Sequence, residues 1–454
     1  MIKPYKLEVF KTKEKIFYLP VSLNEENIIS ISLGTSHSEA LCRKHPNGRN
    51  VAAISSSLAE ELSLPPFITH IYMFQHENAL ILGPLIGIFT SGFTSFVMKP
   101  IGERSSFFSK LLSLQSSLGV IPFVFGENHI DWENGLVKGH FYSRNQWVTH
   151  IVPLPNVIYD RLPNRRSEKK SSYQEIKNRL QQQYGIPWYN PGFFNKLEVF
   201  ERLENDEEAL RYLPETHAFQ SFSQIERMMA KYGHVFIKPK NGSLGLGVHQ
   251  FAFNRKTEEY TCRFQDKSGR NRLVKSASFE KLLQRIIPPK ILNRMVIQQG
   301  ISLIKSEERA VDFRVHTNKD ENGEWQVSAI AAKVAGEGSV TTHLHNGGSV
   351  KSLQELFPDE NLCLRTEEKL KTAAITLSSA LERNMEGFIG EIGFDFGIDA
   401  LGRVWLFEAN SKPGRSIFSH PDLKSFDLLT RRLSLSFGLY LTQKSIKQPQ
   451  ETFK

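Results

Sequence analysis

Gly390-Glu391-Ile392-Gly393-Phe394-Asp395-Phe396-Gly397 alternates with a period of two. Ile392, Phe394 and Phe396 point to one side of such a strand, and Glu391 and Asp395 to the other. A turn over Ile398-Asp399-Ala400-Leu401-Gly402 leads into a second strand, Val404-Trp405-Leu406-Phe407-Glu408-Ala409-Asn410. Antiparallel pairing sets Asp395 and Glu408 on one face, with Asn410 two residues further on. Two carboxylates and an amide oxygen are hard ligands of the kind that hold Mg²⁺ or Mn²⁺ and disfavour zinc. A solvent-facing acidic edge of a hairpin would show the same letters. The strands are otherwise so apolar that the metal reading is preferred. Glu391 shares that face and is expected to matter less than Glu408.

A second stretch lies upstream. Val235-Phe236-Ile237-Lys238 runs into Pro239-Lys240-Asn241-Gly242-Ser243-Leu244-Gly245-Leu246-Gly247-Val248. A β-branched and aromatic run ends on a lysine, and three glycines follow. Glycines admit positive φ and carry no Cβ, so backbone N–H groups can close over phosphate oxygens. Lysine supplies a point charge for the same anion. The order GxxxxGK[ST] is absent, so this is not a P-loop. In isolation it reads equally well as a hairpin loop that binds nothing; the acidic strands shift the balance. Ser243 is expected to contribute little, since backbone amides do the binding in such a loop.

At these residues the chain resembles the ATP-grasp superfamily, over about residues 185 to 440. The similarity is greatest to the branch of glutathione synthetases and of glutamate ligases that modify peptide ends. The resemblance implies an α/β (α+β) ATP-grasp fold of two lobes. Lys196, Lys238 and the loop through Gly242, Ser243, Gly245 and Gly247 look like the phosphate-binding parts. Gln298-Gln299-Gly300-Ile301 looks like the interlobe hinge beside the adenine. Asp312-Phe313-Arg314, Lys333 and Asn346 of Asn346-Gly347-Gly348 look like groups around the transferring phosphate, Arg314, Lys333 and Asn346 being the catalytic candidates. Asp395, Glu408 and Asn410 take the place of the metal ligands. The implied cofactors are ATP and Mg²⁺ or Mn²⁺, and the implied reaction joins a carboxylate to an amine or thiol through an acylphosphate.

A narrower likeness is to the YheC/YheD family of spore-coat-associated ATP-grasp proteins. Tyr159-Asp160-Arg161-Leu162-Pro163 and Trp188-Tyr189-Asn190-Pro191 carry it. It implies other spore-coat proteins as partners, and leaves open an ATP-binding assembly protein without turnover. Val340-Thr341-Thr342-His343-Leu344-His345-Asn346 departs from the glutamate ligases, which have arginines there to hold the substrate carboxylate. His343 and His345 are read as surface or substrate-edge residues rather than as a metal pair.

The remaining chain sets bounds. At ~150 residues per domain, 454 residues suggest about three domains. The divisions expected are a β-rich region 1–80, a small α/β unit 81–184, the ATP-grasp lobes 185–445 with a hinge near 299–301, and a polar tail 446–454 that frays. A strand at Leu85–Phe89, an amphipathic stretch at Phe107–Leu118 and a strand at Val120–Phe125 make a βαβ order. The charged segment Pro163–Tyr173 reads as an exposed linker. Cys42, Cys262 and Cys363 form no metal or disulfide pattern, which fits a reducing, cytoplasmic setting. Ala79–Met98 carries no charge, but its glycines, proline and hydroxyls argue against a membrane span. The net charge of +9 is spread along the chain, and no interleaving of aromatic and basic residues suggests nucleic acid.

Overall fold

A computed structural model describes residues 3–23, 27–240, 246–266, 268–342 and 347–452. Short alternating strands fill the first 82 residues. They pair into a five-stranded and a four-stranded sheet. Ile16–Leu19 and Ser30–Leu33 each bury every second residue, as strands with one covered face do.

The sheet that follows is built around Leu85–Phe89, in which every residue is buried. Ile121–Phe125 and Val157–Asp160 flank it on either side, both parallel to it. The first crossover runs through helices Ser105–Leu112 and Gln115–Leu118. Gly119 ends the second helix at φ 71°, where a Cβ would meet the backbone of Ile71 and Tyr72. Uncharged Ala79–Met98 thus contributes a core strand, and among the described residues no helix is long and apolar enough to cross a membrane.

The segment Pro163–Tyr173 is a correction. It is helical from Arg165 to Glu168, capped by the Asn164 side chain, and a longer helix, Ser171–Tyr184, starts inside it. Tyr173 is buried edge-on against Phe89. Charge density concealed this anchoring residue. Helix Lys424–Lys447 reaches into the tail, and a further turn, Pro449–Thr452, follows.

Two antiparallel sheets make up most of the C-terminal half. The first has the order Thr216–Ala218, Met295–Gln299, His234–Pro239, His249–Asn254, Glu259–Gln265 and Asn271–Ser276. Helices Phe222–Tyr232 and Phe279–Ile286 close its core. The second has the order Ser349–Lys351, Trp325–Val334, Arg309–Lys319, Glu391–Ile398 and Val404–Asn410. The 25-residue helix Glu360–Asn384 packs on it with Leu370, Ala374, Leu377 and Leu381.

The second sheet is tied to the middle one. Helix Lys424–Lys447 packs Leu435, Phe437, Leu439 and Leu441 into one core with Ile86, Ile88, Val157 and Tyr159. Lys412 Nζ lies 2.6 Å from Asp160 Oδ1, with both side chains 2% exposed, and Trp188 Nε1 donates to Asp160 Oδ2 at 3.1 Å. Asn190 adopts a left-handed φ of 52°. Its amide donates to the Glu391 and Ser411 carbonyls and accepts from Gly390 N–H.

Candidate active site

Register sets the acidic end of the site. Asp395 stands opposite Glu408, and Gly393 opposite Asn410. The pairing slips after Asp395, so that Phe396 faces Leu406 and Phe407 is an extra residue. Such a bulge bends the strand and re-aims its side chains. Phe407 and Glu408 both line a cleft between the two C-terminal sheets, of about 920 Å³ including its mouth.

Arg314 is the partner of Asp395 on the other neighbouring strand, and Asp312 pairs in turn with Lys333. Lys333 Nζ lies 2.8 Å from Asp395 Oδ1 and 3.0 Å from Asp312 Oδ1. Arg314 Nη2 lies 3.0 Å from Asp395 Oδ2. The Thr342 hydroxyl donates to Asp312. Burial pulls the Lys333 ammonium down, but the Asp312 and Asp395 carboxylates outweigh it and hold the group above its ordinary value.

The opposing sheet supplies Lys238. Its Nζ donates to Gln298 Oε1 at 2.8 Å and to the Phe407 carbonyl at 3.3 Å, and the Gln298 amide donates to Thr216. Neither acceptor is charged. Burial, aided by Lys196, brings the Lys238 ammonium from 10.5 down to about 7. Lys196 opens a helix capped by Asn195, and its Nζ lies 3.0 Å from Glu408 Oε2.

The sign of the Lys238 effect can be worked out. The folded-state value lies below the unfolded one, so the unfolded chain binds more protons between about 7 and 10.5. Lys238 therefore makes stability rise with pH across that window. A bound polyanion reverses the preference and favours the ammonium. Binding of MgATP at pH 8 is expected to draw in a proton, read by calorimetry in buffers of different ionisation heat. Lys238→Met should remove most of that uptake.

Strand Met295–Gln299, paired with the strand of Lys238, runs into the hinge. Gln299 N–H donates to Glu215 O at 2.8 Å, and Glu215 N–H donates back to Gln299 Oε1 at 3.1 Å. Gly300 N–H donates to His234 O at 3.1 Å, and a Cβ on Gly300 would lie 2.1 Å from the His234 ring. Gly300→Ala should therefore push these strands apart and cost about 1–3 kcal/mol by overpacking. A urea midpoint equal to that of the parent protein would refute this.

Of the residues singled out in the sequence, Lys196, Lys238, Gln298, Gln299, Ile301, Lys333, Asp395 and Glu408 line the one cleft, and Arg314 joins it through Asp395. Gly247, at φ 73°, stands against Pro239 at the foot of the glycine loop. Asn410 is half-buried beyond Glu408 and is not among the lining residues. Gly242, Ser243, Gly245, His343, His345 and Asn346 lie outside the described residues. Asp312 stood in the sequence only as a neighbour of Arg314, and Thr342 only in the stretch before Asn346; the structure joins them to each other and Asp312 to Lys333.

Apolar walls from Phe236, Val248, Ile301, Leu303 and Phe407 meet this charged end. The cleft thus suits a flat apolar group with an anionic tail. Asp395 and Glu408 offer hard oxygens from paired strands, and each is already balanced by cations. The set fits a divalent ion that arrives with a polyphosphate, the phosphates then answering Lys196, Lys238, Lys333 and Arg314.

Two sheets closing on such a cleft form an ATP-grasp fold. Residues 185–441 match the YheC/D like ATP-grasp family, and the chain belongs to that family. It is 42% identical over 451 residues to the endospore coat-associated protein YheD of Bacillus subtilis strain 168, covering 99% of this chain and 98% of that one. Endospore coat-associated protein YheC of the same strain is 22% identical over 284 residues, 62% of this chain and 77% of that one. Among solved structures, D-alanyl-alanine synthetase A from Vibrio cholerae O1 biovar eltor covers 81% of this chain and 99% of its own, at 14% identity and a TM-score of 0.43. A Chryseobacterium gregarium RiPP-associated ATP-grasp ligase, in complex with ADP and a leader and core peptide, covers 77% and 95%, at 12% identity and a TM-score of 0.39.

Proposed function

We propose that the protein binds MgATP in this cleft and works as an ATP-dependent carboxylate–amine or carboxylate–thiol ligase. The convergence of Lys238, Lys333 and Arg314 on the Asp395–Glu408 strand pair carries the reading. The adenine would lie between the apolar walls, against the hinge backbone from Gln299 to Ile301. Asp395 and Glu408, with Asn410, would hold the Mg²⁺ or Mn²⁺, which supplies charge neutralisation on the phosphates.

The substrate carboxylate attacks the γ-phosphorus, the bond to the β–γ bridging oxygen breaks, and ADP departs. The amine or thiol then attacks the acyl carbon, phosphate leaves, and the nucleophile's proton passes to solvent. No protein nucleophile is needed. Arg314 and Lys333, with Asn346, neutralise the transferring group, and Lys196 and Lys238 position the triphosphate. The glycine loop from Gly242 to Gly247 closes over it and excludes water.

The coat association of the Bacillus subtilis relatives suggests a cytoplasmic protein whose product or partners belong to the spore coat. It also favours a second reading, an ATP-binding coat-assembly protein without turnover. Phosphate release from MgATP with pooled acids, amines and thiols, followed by mass spectrometry of new condensates, separates the two. Ligase activity gives both phosphate and condensate; the assembly reading gives binding alone. Absence of any heat or thermal shift at millimolar MgATP would defeat both.

A further inference from the structure

The polar face of the second sheet continues past Asp395, away from the cleft. Arg314, His316 and Asn318 follow one another along one strand, opposite Asp395, Gly393 and Glu391. Gly393 has no side chain, and Arg314 Nη1 lies 3.0 Å from where its Cβ would be. Arg314 thus reaches across Gly393 from Asp395 towards Glu391. Arg161, from the middle sheet, lies 2.6 Å from Glu391 Oε1. Arg415, from the turn after the Glu408 strand, lies 3.6 Å from Glu391 Oε2 and 3.3 Å from Asp427. The Phe107 ring sits beneath both guanidinium groups, at 5.0 Å and 5.2 Å.

This cluster is over-supplied with donors. Arg314 Nη1, Arg415 Nε and His316 Nε2 are buried and have no hydrogen-bond partner among the described residues. Buried polar groups are nearly always satisfied, so three at one place call for an acceptor. Burial, with Arg314 and Arg415 nearby, keeps the His316 imidazole well below its usual range, so it is neutral and can donate. Glu391 Oε2 makes no hydrogen bond either. Its separation from Arg415 is that of a pair held apart rather than closed.

Charge points the same way. Two ion-pair networks lie side by side: Arg161, Arg415 and Arg431 with Glu391 and Asp427, and Arg314 and Lys333 with Asp312 and Asp395. The excess is a single positive charge. It suits a carboxylate better than a phosphate dianion, and guanidinium forks match a carboxylate edge.

We propose that the acid activated in the neighbouring cleft carries a second carboxylate, and that this group docks on Arg314, Arg415 and His316, beside Arg161. The proposal rests on the ligase reading above and narrows its substrate to diacids. Arg314 Nη2 faces Asp395 at the phosphate end, and His316 lies two residues, or about 7 Å, further along the strand, an offset that suits carboxylates joined by a short methylene chain.

Calorimetry on the full-length protein, saturated with MgADP, tests the assignment with glutarate and butyrate as probes. Glutarate should bind at least about tenfold more tightly than butyrate, because only it answers the charged donors. Arg415→Gln should lower glutarate affinity about tenfold and leave MgADP affinity unchanged. If that variant does not fold, the comparison of the two probes on the parent protein stands alone. A tripeptide ending in aspartate, run beside glutarate, tells a peptide-borne diacid from a free one. Equal affinity for glutarate and butyrate overturns the proposal. So does absence of glutarate binding to protein that binds MgADP, or glutarate affinity indifferent to Arg415→Gln. Failure of MgADP itself to bind would defeat the nucleotide reading, and this one with it.

Discussion

Glu408→Gln is expected to cut MgATP-dependent phosphate release at least about a hundredfold and to leave the urea midpoint nearly unchanged. Glu408 is the most exposed of the three acidic cleft residues, with 26% of its side chain open, and its ion partner is Lys196. Surface-side pairs of this kind contribute little to folding. With one carboxylate gone, the phosphate charge is less well neutralised and ATP affinity falls too. Excess Mn²⁺ should restore part of it. Asp395→Asn should behave differently. That side chain is 11% exposed and answers both Lys333 and Arg314. Removing its charge should cost turnover and also about 3–5 kcal/mol of stability, because Arg314 loses its counterion and Lys333 keeps only Asp312. Paired measurements of phosphate release and urea unfolding on both variants check the contrast. Equal destabilisation would show that the two carboxylates are not divided in this way.

Glu391→Gln is expected to destabilise the protein by about 3–5 kcal/mol without weakening MgADP binding. The sequence suggested a mild position, since Glu391 lies on the strand face of Asp395 yet outside the metal set. In the structure its side chain is 2% exposed, bonded to the Tyr159 hydroxyl and to Arg161, with Arg415 beside it. The amide keeps the shape but leaves Arg161 without its ion partner and Arg415 with Asp427 alone. Burial also drives the Tyr159 hydroxyl far above its ordinary range, so it remains a donor to Glu391 and cannot take over as an anion. Urea unfolding beside MgADP titration checks the prediction; an unchanged midpoint would contradict it.

Glu391 shows where a sequence stops being legible. Alternation placed Glu391, Asp395, Glu408 and Asn410 on the strands, because a period of two is local and the hairpin turn between them is short. It could not say that Glu391 meets Tyr159 and Arg161, since those partners lie more than two hundred residues upstream and no local period encodes the meeting. Asp395 and Glu408 pair as the hairpin suggested, but the bulge at Phe407 had no signature in the letters. Lys238 was legible as the end of an apolar strand before glycines. Its lowered ammonium value was not, because that follows from burial and from the nearness of Lys196, both made only by the fold. Pro163–Tyr173 misled for a related reason: five charged residues outweighed one tyrosine and a capping asparagine, although those two decide the local structure.

The return of helix Lys424–Lys447 to the middle sheet has a practical consequence for dissecting this molecule. The stretch that carries the family likeness, residues 185–441, looks like a natural excision product. Yet Leu435, Phe437, Leu439 and Leu441 find their neighbours in Ile86, Ile88 and Val157, outside it. Lys412 would lose Asp160, and Glu391 would lose both Tyr159 and Arg161. Cutting before residue 185 would thus lay bare an apolar helix face and strand buried charges at once. Such a fragment should aggregate on expression; one beginning near residue 83 keeps these contacts, but it bares Leu85, Phe89 and Phe123, which share a core with Phe17, Leu33 and Leu82.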